Sequence, residues 1–452
     1  MLEKNINIRC SETINYSRLQ YTVDFIDNHP LKPGPIKIKL NSADHCDIEV
    51  DYSYEAADKL FIPIQNQFFG NNTHDANDFF INNYLWKNKY LYSLEKKFKN
   101  EQFFIINQQF SFDILETIFF HISRFEEVFA TSNQLDEHGR MRSDQQILVK
   151  NKLQTNPVVD HLIKSFFEVL GIEIEDVITG FSMTHDIDAI QKFSSTIKLP
   201  KSIGRVLLMG LGLNGVYRIL KSYFSFILNK EEDPYYVFDT LLLSENIFDK
   251  KIIFFVSGGK TRFDLYNKNY KLWLPRIVKK ALNKGYSIGF HPSYNAFNNP
   301  EMFVEEINQL KLACPAPVEY IRTHFLRMDF NATLKISVQN DLIIDSTLGY
   351  PDEIGFRCGT GFSYFLYDFQ NESKSLIKEL PLIIMDSALF FIKCNDSSDC
   401  FKEKLYEFIN MNKFNTHITF NFHNSTFDRS LRKRDNVKFI YAELIQRLNA
   451  RD

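Results

Sequence analysis

Residues 178–188 read Ile-Thr-Gly-Phe-Ser-Met-Thr-His-Asp-Ile-Asp. The stretch from Ile178 to Met183 predicts a strand, and it runs directly into the ionisable cluster Thr184 to Asp188. The pattern recurs downstream. Lys251-Ile-Ile-Phe-Phe-Val256 is a continuous apolar run, as expected of a strand buried on both faces. Ser287 to Phe290, Leu342 to Ile344, Leu382 to Met385 and Ile418 to Phe422 are further strand candidates. Between them, Leu274, Ile277, Val278, Ala281 and Leu282 form one helix stripe ended by Gly285, and Phe303, Ile307 and Leu310 form another. Strand–helix alternation from about residue 176 onward predicts an α/β domain, either an open sheet or a barrel.

The polar residues fall at the ends of these strands. Besides Thr184 to Asp188 there are His291-Pro-Ser-Tyr294, Arg322-Thr-His324, Asp345-Ser-Thr-Leu-Gly-Tyr350, Met385-Asp386 and His423-Asn-Ser-Thr426. In parallel α/β folds the C-terminal strand ends line one crevice or barrel mouth, so six such clusters predict one shared site. Asp186 and Asp188 face the same side of an extended backbone. Two carboxylates on one side repel unless a cation or a shared proton separates their roles, so one can bind a metal while the other acts as a base. His291 is a natural imidazole ligand, and Asp with His is a common ligand set. His423 can protonate a leaving group or stabilise an oxyanion. Arg322 can hold a carboxylate ionised by a bidentate pair. No GxSxG, P-loop or GxGxxG context is present, which removes support for a hydrolase elbow, an NTPase or a dinucleotide fold.

Working toward the N-terminus, the first 175 residues mix strand and helix signals. Ile36, Ile38 and Leu40 alternate with lysines, and Ile48 and Val50 alternate with carboxylates. Leu115, Ile118, Phe119, Ile122 and Phe129 share one helix face, which carries the polar run Arg124, Glu126 and Glu127. This part reads as an α+β module of its own.

The whole chain has 452 residues, 44% hydrophobic and 24% charged, which excludes wholesale disorder. Its net charge of −3 argues against a broad nucleic-acid surface. The six cysteines, Cys10, Cys46, Cys314, Cys358, Cys394 and Cys400, form no CxxC pair, so neither a zinc knuckle nor a disulfide framework is expected. The opening residues contain no apolar core of a secretory leader, so a cytoplasmic chain is expected. The most apolar stretch, Val206 to Leu228, is broken by Asn214, Arg218 and Lys221 and falls short of a clean span. It reads as an amphipathic helical segment, and any membrane contact is expected to be peripheral.

The order THDID, GFHPSY, RTHF, DSTLGY, MD and FHNSTF resembles the polysaccharide deacetylase family, the NodB-like carbohydrate esterases, over roughly residues 176–430. The likeness is greatest to a bacterial subgroup with an extra N-terminal domain, which the run from Arg124 to Arg140 also resembles. The resemblance implies a distorted (β/α) barrel over 176–452, preceded by a smaller α+β domain over 1–175 whose role it leaves open. It implies Asp186 as general base, Asp188 as metal ligand, His291 as a second ligand, Arg322 as partner of the base, Asp386 as the carboxylate orienting the catalytic histidine, and His423 as general acid. The family's two aspartates are usually adjacent; here Ile187 intervenes, so the two roles can be exchanged. The family's second motif has two histidines four apart, and position 295 is Asn, so Asn295 stands as the third ligand, weaker for zinc than imidazole. His324 is expected on the wall of the site with Tyr294. Asp345, Tyr350 and Arg357 lie in a segment given loop character by Gly349, Gly355, Gly359 and Gly361. That segment is either a substrate-facing loop or a structural loop pinned by Asp–Arg pairing.

The implied cofactor is a divalent metal, zinc first, with cobalt or nickel as alternatives. The implied activity is removal of acetyl groups from an N-acetylated (or O-acetylated) sugar of a surface polysaccharide or its precursor. The alternative is a catalytically degenerate barrel that binds glycan or scaffolds polysaccharide biosynthesis. An amidohydrolase-like barrel would require additional ligating histidines at strand ends. No nucleic-acid partner is expected, and the oligomeric state is left open.

Overall fold

The computed structural model describes residues 4–54, 60–64, 68–69, 105–106, 109–110, 113–193, 198–208, 210–229, 232–243, 246–264, 270–391, 398–428, 430 and 435–450. Cys394 lies outside them; Cys10, Cys314 and Cys358 are buried and free.

The first sheet is built from β1 (Lys4–Arg9), β2 (Ile36–Leu40), β3 (Ile48–Ser53) and β4 (Phe61–Pro63), all parallel, in the order β2-β1-β3-β4. The helix Tyr16–Asp27 connects β1 to β2, and the Asn15 side chain caps it by accepting from the Arg18 N–H. A short hairpin, β5 (Ile105–Ile106) and β6 (Gln109–Phe110), precedes the helix Ile114–Ile122. The expected single helix through Phe129 breaks at Arg124, which adopts a left-handed conformation (φ 59°) before a second helix, Phe125–Val128. The break has a structural use. Arg124, Glu127 and Arg357 meet in the interior, with Glu127 Oε1 accepting from Arg124 Nε at 2.9 Å and from Arg357 Nε at 2.8 Å. Burial opposes the Glu127 charge, but the two guanidiniums bring its pKa down to about 2. Losing one partner of such a buried pair costs about 3–5 kcal/mol.

The second sheet contains β7 (Gly180–Ile187), β8 (Lys250–Phe255), β9 (Ser287–Phe290), β10 (Tyr320–Ile321), β11 (Ile344–Asp345), β12 (Tyr364–Asp368), β13 (Ser373–Glu379), β14 (Ile384–Met385) and β15 (His417–Asn421). Their order is β12-β13-β11-β10-β9-β8-β7-β15-β14, and every pairing is parallel except β12 with β13. The edge strands β12 and β14 do not pair, so among the described residues the expected barrel is a curled, open half-barrel. β7 is central and buried along almost its whole length. It extends further than the apolar run predicts, carrying Thr184, His185, Asp186 and Ile187 within the strand. The 206–228 segment resolves into two helices, Lys198–Leu208 and Gly212–Ile227, separated where Gly210 and Gly212 take positive φ (70° and 56°).

The apolar core does not divide at residue 175. Phe119, Ile163 and Phe166 of the N-terminal part share one cluster with Tyr364, Leu366, Tyr367 and Ile377 of the β12–β13 hairpin. Arg18 closes the same junction through a 2.7 Å ion pair with Glu372. The second sheet therefore has its antiparallel edge covered by the N-terminal module, which hides a strand edge from solvent. The remaining strands and their helices form a separate core around Met183, Ile253, Phe255, Ile288 and Phe420.

Candidate metal and acid–base site

Strand alternation sorts the β7 motif into two faces. His185 turns into the core against Tyr286 and Tyr441, its Nδ1 against the Phe422 carbonyl at 3.1 Å. Burial pushes its pKa down to about 4, so it is a neutral structural histidine. Thr184 and Asp186 turn the other way, toward Arg322. The Arg322 Nη1 donates to Asp186 Oδ1 at 2.9 Å and to Thr184 Oγ1 at 2.8 Å. Its Nε and Nη2 are taken by the Ser346 carbonyl and hydroxyl, at 2.8 and 2.7 Å. The pairing with Asp186 is thus through one nitrogen rather than the expected fork. Asn421, the last residue of β15, donates to Asp186 Oδ2 at 2.9 Å. Burial opposes the Asp186 charge; Arg322, together with His291 and His423, holds the carboxyl below its usual range.

Asp188 is held differently. Its Oδ1 lies 3.4 Å from His291 Nε2 and 3.7 Å from His324 Nε2. The three ligand atoms lie within 4.8 Å of one another. His291 Nδ1 meets the Arg322 carbonyl and must be the protonated nitrogen, since a carbonyl can only accept. That leaves the Nε2 lone pair aimed at Asp188. His324 repeats the arrangement, with Nδ1 3.5 Å from Asp264 Oδ1. Asp264 is buried and fixed by the N–H groups of Thr261 and Tyr294, at 2.8 and 2.9 Å. Burial opposes its charge, while His324 and these donors bring its pKa down to about 2. Asp188 Oδ1 and His291 Nε2 have no hydrogen-bond partner although both are buried. Two orphaned acceptors beside a second imidazole nitrogen fit a divalent cation, with a carboxylate and a carbonyl beside the far nitrogens of the two imidazoles.

On the other side of Asp186 stands His423, 3.7 Å away through Nε2. Its Nδ1 meets Asp386 Oδ1 at 2.6 Å, and its backbone N–H donates to Asp386 Oδ2 at 2.7 Å. Burial works against its positive charge, but Asp386 dominates and raises its pKa to about 10. Asp186, Asp188, His291, His324 and His423 all line one cleft of about 630 Å³.

Several expected residues fall elsewhere. Asn295 is exposed, at the start of the turn Ala296–Asn298, and does not line the cleft, whereas His324 lines it and groups with Asp188 and His291 as atoms that could hold a metal. Tyr294 packs its ring on Phe263, 4.2 Å between centroids, and its hydroxyl lies 3.0 Å from His138 Nδ1. Asp345, Tyr350 and Arg357 are buried and absent from the cleft lining. The segment is pinned by an Arg–Glu pair, Arg357 with Glu127, rather than by Asp345. Residues not expected at the site are Asn421, Asp264 and the loop 136–144 of the N-terminal module. That loop forms one wall of the cleft through Asp136, His138, Arg140 and Ser143. It is tied to the ligand loops: Arg140 Nη1 donates to the Phe325 carbonyl at 2.6 Å, and Arg327 Nε to the His138 carbonyl at 2.9 Å.

Comparison with known proteins gives partial likenesses. Residues 7–173 match a family of unknown function (DUF7033). No curated protein matches the chain. Among solved structures, it is similar to a protein assigned as a polysaccharide deacetylase from Mycobacterium smegmatis, with 14% identity, a TM-score of 0.34, and 59% of this chain and 85% of that chain covered. It is also similar to a CE4 family pseudoenzyme from Bacillus anthracis, with 10% identity, a TM-score of 0.27 and coverage of 62% and 67%. A third is the Bc1960 peptidoglycan N-acetylglucosamine deacetylase, with 14% identity, a TM-score of 0.22 and coverage of 53% and 85%.

Proposed function

We propose that this chain is a metal-dependent hydrolase that removes acetyl groups from an N-acetylated (or O-acetylated) sugar of a surface polysaccharide or its precursor. The observation that carries the reading is the division of labour between two carboxylates two residues apart. Asp186 is held ionised by Arg322, with Asn421 bonded to its second oxygen, and is taken as the proton acceptor, while Asp188 faces the Nε2 atoms of His291 and His324. Asp188, His291 and His324 would hold a divalent cation, zinc first; when bound, it supplies Lewis acidity for the acyl carbonyl and for water.

The chain's own residues supply the proton transfers. Asp186, kept ionised by Arg322, accepts the proton of the attacking water as its oxygen bonds to the acyl carbon. His423, kept protonated by Asp386, donates to the nitrogen as the carbon–nitrogen bond breaks. The products are acetate and an amine, and for an ester an alcohol in place of the amine. The loop 136–144 closes one side of the cleft and is placed to contact the sugar units flanking the reacting acetyl group. In this reading residues 1–175 supply a wall of the site rather than a separate function. The alternative is a degenerate barrel that only binds glycan; it predicts neither acetate release nor stoichiometric metal, whereas the reading taken here uses His324, not Asn295, as the third ligand.

The test is acetate release from a panel of N- and O-acetylated sugars and their nucleotide- or lipid-linked forms, using zinc-loaded protein. Wild type releases acetate. Asp186→Asn and His423→Ala each lower turnover by about 10²-fold or more while metal content stays unchanged. Undiminished turnover in Asp186→Asn overturns the assignment.

A further inference from the structure

The connection from β7 to β8 leaves the cleft four residues after Asp188 and forms a helical hairpin, Lys198–Leu208 and Gly212–Ile227. Its residues divide over three faces. Gly215, Ile219 and Tyr223, spaced by four, turn inward and pack with Val206 and Phe193 in a small core separate from the two large ones. A second apolar stripe turns outward: Leu213, Tyr217, Leu220, Phe224 and Ile227 follow one another at spacings of four and three, a single helix face. Leu213 is 84% exposed, Tyr217 66% and Phe224 56%; Leu208, at the hairpin turn, is 90% exposed. Nothing among the described residues covers this stripe. The third face is basic, with Arg218 and Lys221 beside the stripe and Lys201 and Arg205 on the first helix. None of these four is paired with a carboxylate among the described residues.

The charge pattern identifies what such a face meets. Residues 189–230 contain seven Lys or Arg and no Asp or Glu, in a chain whose net charge is −3. An exposed apolar stripe bordered by unpaired cations is complementary to a surface with apolar depth and negative charge. No described helix is long and apolar enough to cross a membrane, and the second helix has 16 residues against the roughly 20 a span requires. A helix of this kind lies in the plane of the lipid headgroups.

We propose that the hairpin 198–227 docks on the surface of an anionic phospholipid bilayer. The root of the hairpin fixes what that does for the cleft. Asp233 accepts from the N–H groups of Lys192 and Phe193, at 2.8 and 2.9 Å. Lys192 Nζ donates to Asp428 Oδ2 and Ser430 Oγ, both at 2.7 Å, and Asn424 Nδ2 donates to the Ala189 carbonyl at 2.7 Å. Residues 189–193 are thus clamped to the loop that follows His423, beyond the C-terminal ends of β7 and β15, and Phe193 packs into the core of the hairpin. Docking holds the cleft beside the headgroups, where a glycan attached to a lipid would reach it. That last step rests on the cleft being the deacetylase site; bilayer docking itself does not.

The experiment is vesicle flotation of the full chain, with vesicles of phosphatidylcholine alone and with one third phosphatidylglycerol. Wild type floats with the anionic vesicles, and Asp186→Asn floats equally, which separates docking from catalysis. The triple variant Leu213→Ser, Tyr217→Ser, Phe224→Ser changes only exposed side chains and loses flotation. Arg218→Glu with Lys221→Glu weakens partitioning into anionic vesicles by about thirtyfold or more, since each cation near such a surface contributes about a factor of five. Circular dichroism checks that both variants are folded. Failure of wild type to float, or flotation of the triple variant at the wild-type level, overturns the proposal. So does a lipid-free wild-type dimer that the triple variant converts to monomer, because the stripe would then be a contact between two copies of the chain.

Discussion

His324 and Asn295 illustrate what single residues in a sequence can and cannot disclose. Asp186, Asp188, His291 and His423 were legible as cleft residues because each stands at or just beyond the end of an apolar run that becomes a buried strand; Arg322 follows only the two residues of β10. His324 was not legible as a candidate ligand, because the expected partner four residues after His291 requires one helical turn there. Pro292 instead opens an irregular loop whose Ser293 is bound to the buried Glu306, by 2.8 and 2.6 Å bonds, and Asn295 turns outward. His324 was visible only as a wall residue, since nothing in RTHF says that its ring crosses toward Asp188. Asp264 was missed because it lies in a loop eight residues beyond Val256, not at the end of a strand. Its placement behind His324 makes it a positioning residue for the imidazole. Asp264→Asn is expected to weaken zinc affinity about 10–100-fold, the usual effect of losing a carboxylate behind a ligating histidine, while leaving the fold intact. A competitive chelator titration measures this; unchanged affinity would mean that His324 is oriented by its packing alone.

Among the elements, β8, β9 and β15 matched their apolar runs closely and β7 ran four residues past its own, whereas β10, β11 and β14 are two residues long and too short to carry a period. The β12–β13 hairpin was hidden for a different reason. In β13 the buried positions are Ser375, Ile377 and Glu379, so two of the three inward residues are polar. Glu379 lies beside Asp345 in the parallel register of β11 and β13. Asp345 Oδ2 and Glu379 Oε2 are both buried without an ordinary donor, an arrangement that one shared proton satisfies. Burial pushes Asp345 up to about 6, and burial together with Asp345 pushes Glu379 well above its usual value. The sign follows from linkage. A carboxyl whose folded pKa is raised contributes its stability fully below the unfolded pKa, near 3.9, and loses it as pH rises through the folded value. The pair therefore destabilises the chain progressively from about pH 4 to beyond 6. In Glu379→Gln, Tm should change by about 2–5 °C less than in wild type across that interval, as read by differential scanning calorimetry. An identical pH profile in the two proteins would contradict a shared proton at this site.

At the scale of the whole molecule, the α/β alternation and the convergence of strand ends on one cleft were legible from where polar residues interrupt apolar runs. The open half-barrel was not, because closure depends on whether the edge strands pair, and pairing leaves no mark in one strand's own sequence. Nor was the joint core of the N-terminal module and the β12–β13 hairpin, since residues far apart in sequence, such as Tyr21 and Tyr367 with centroids 4.8 Å apart, carry no sign of their partners. That packing brings the loop 136–144 onto the cleft and gives the site a wall that the sheet alone does not supply. The cleft is expected to hold a metal through Asp188, His291 and His324. Elemental analysis of purified wild type, His324→Ala and Asn295→Ala, each after incubation with zinc and removal of excess, tests it directly. Wild type and Asn295→Ala should carry about one ion per chain and His324→Ala should lose it, in keeping with three protein ligands at an open site. Metal retained by His324→Ala and lost by Asn295→Ala, or no metal in wild type, would contradict the claim.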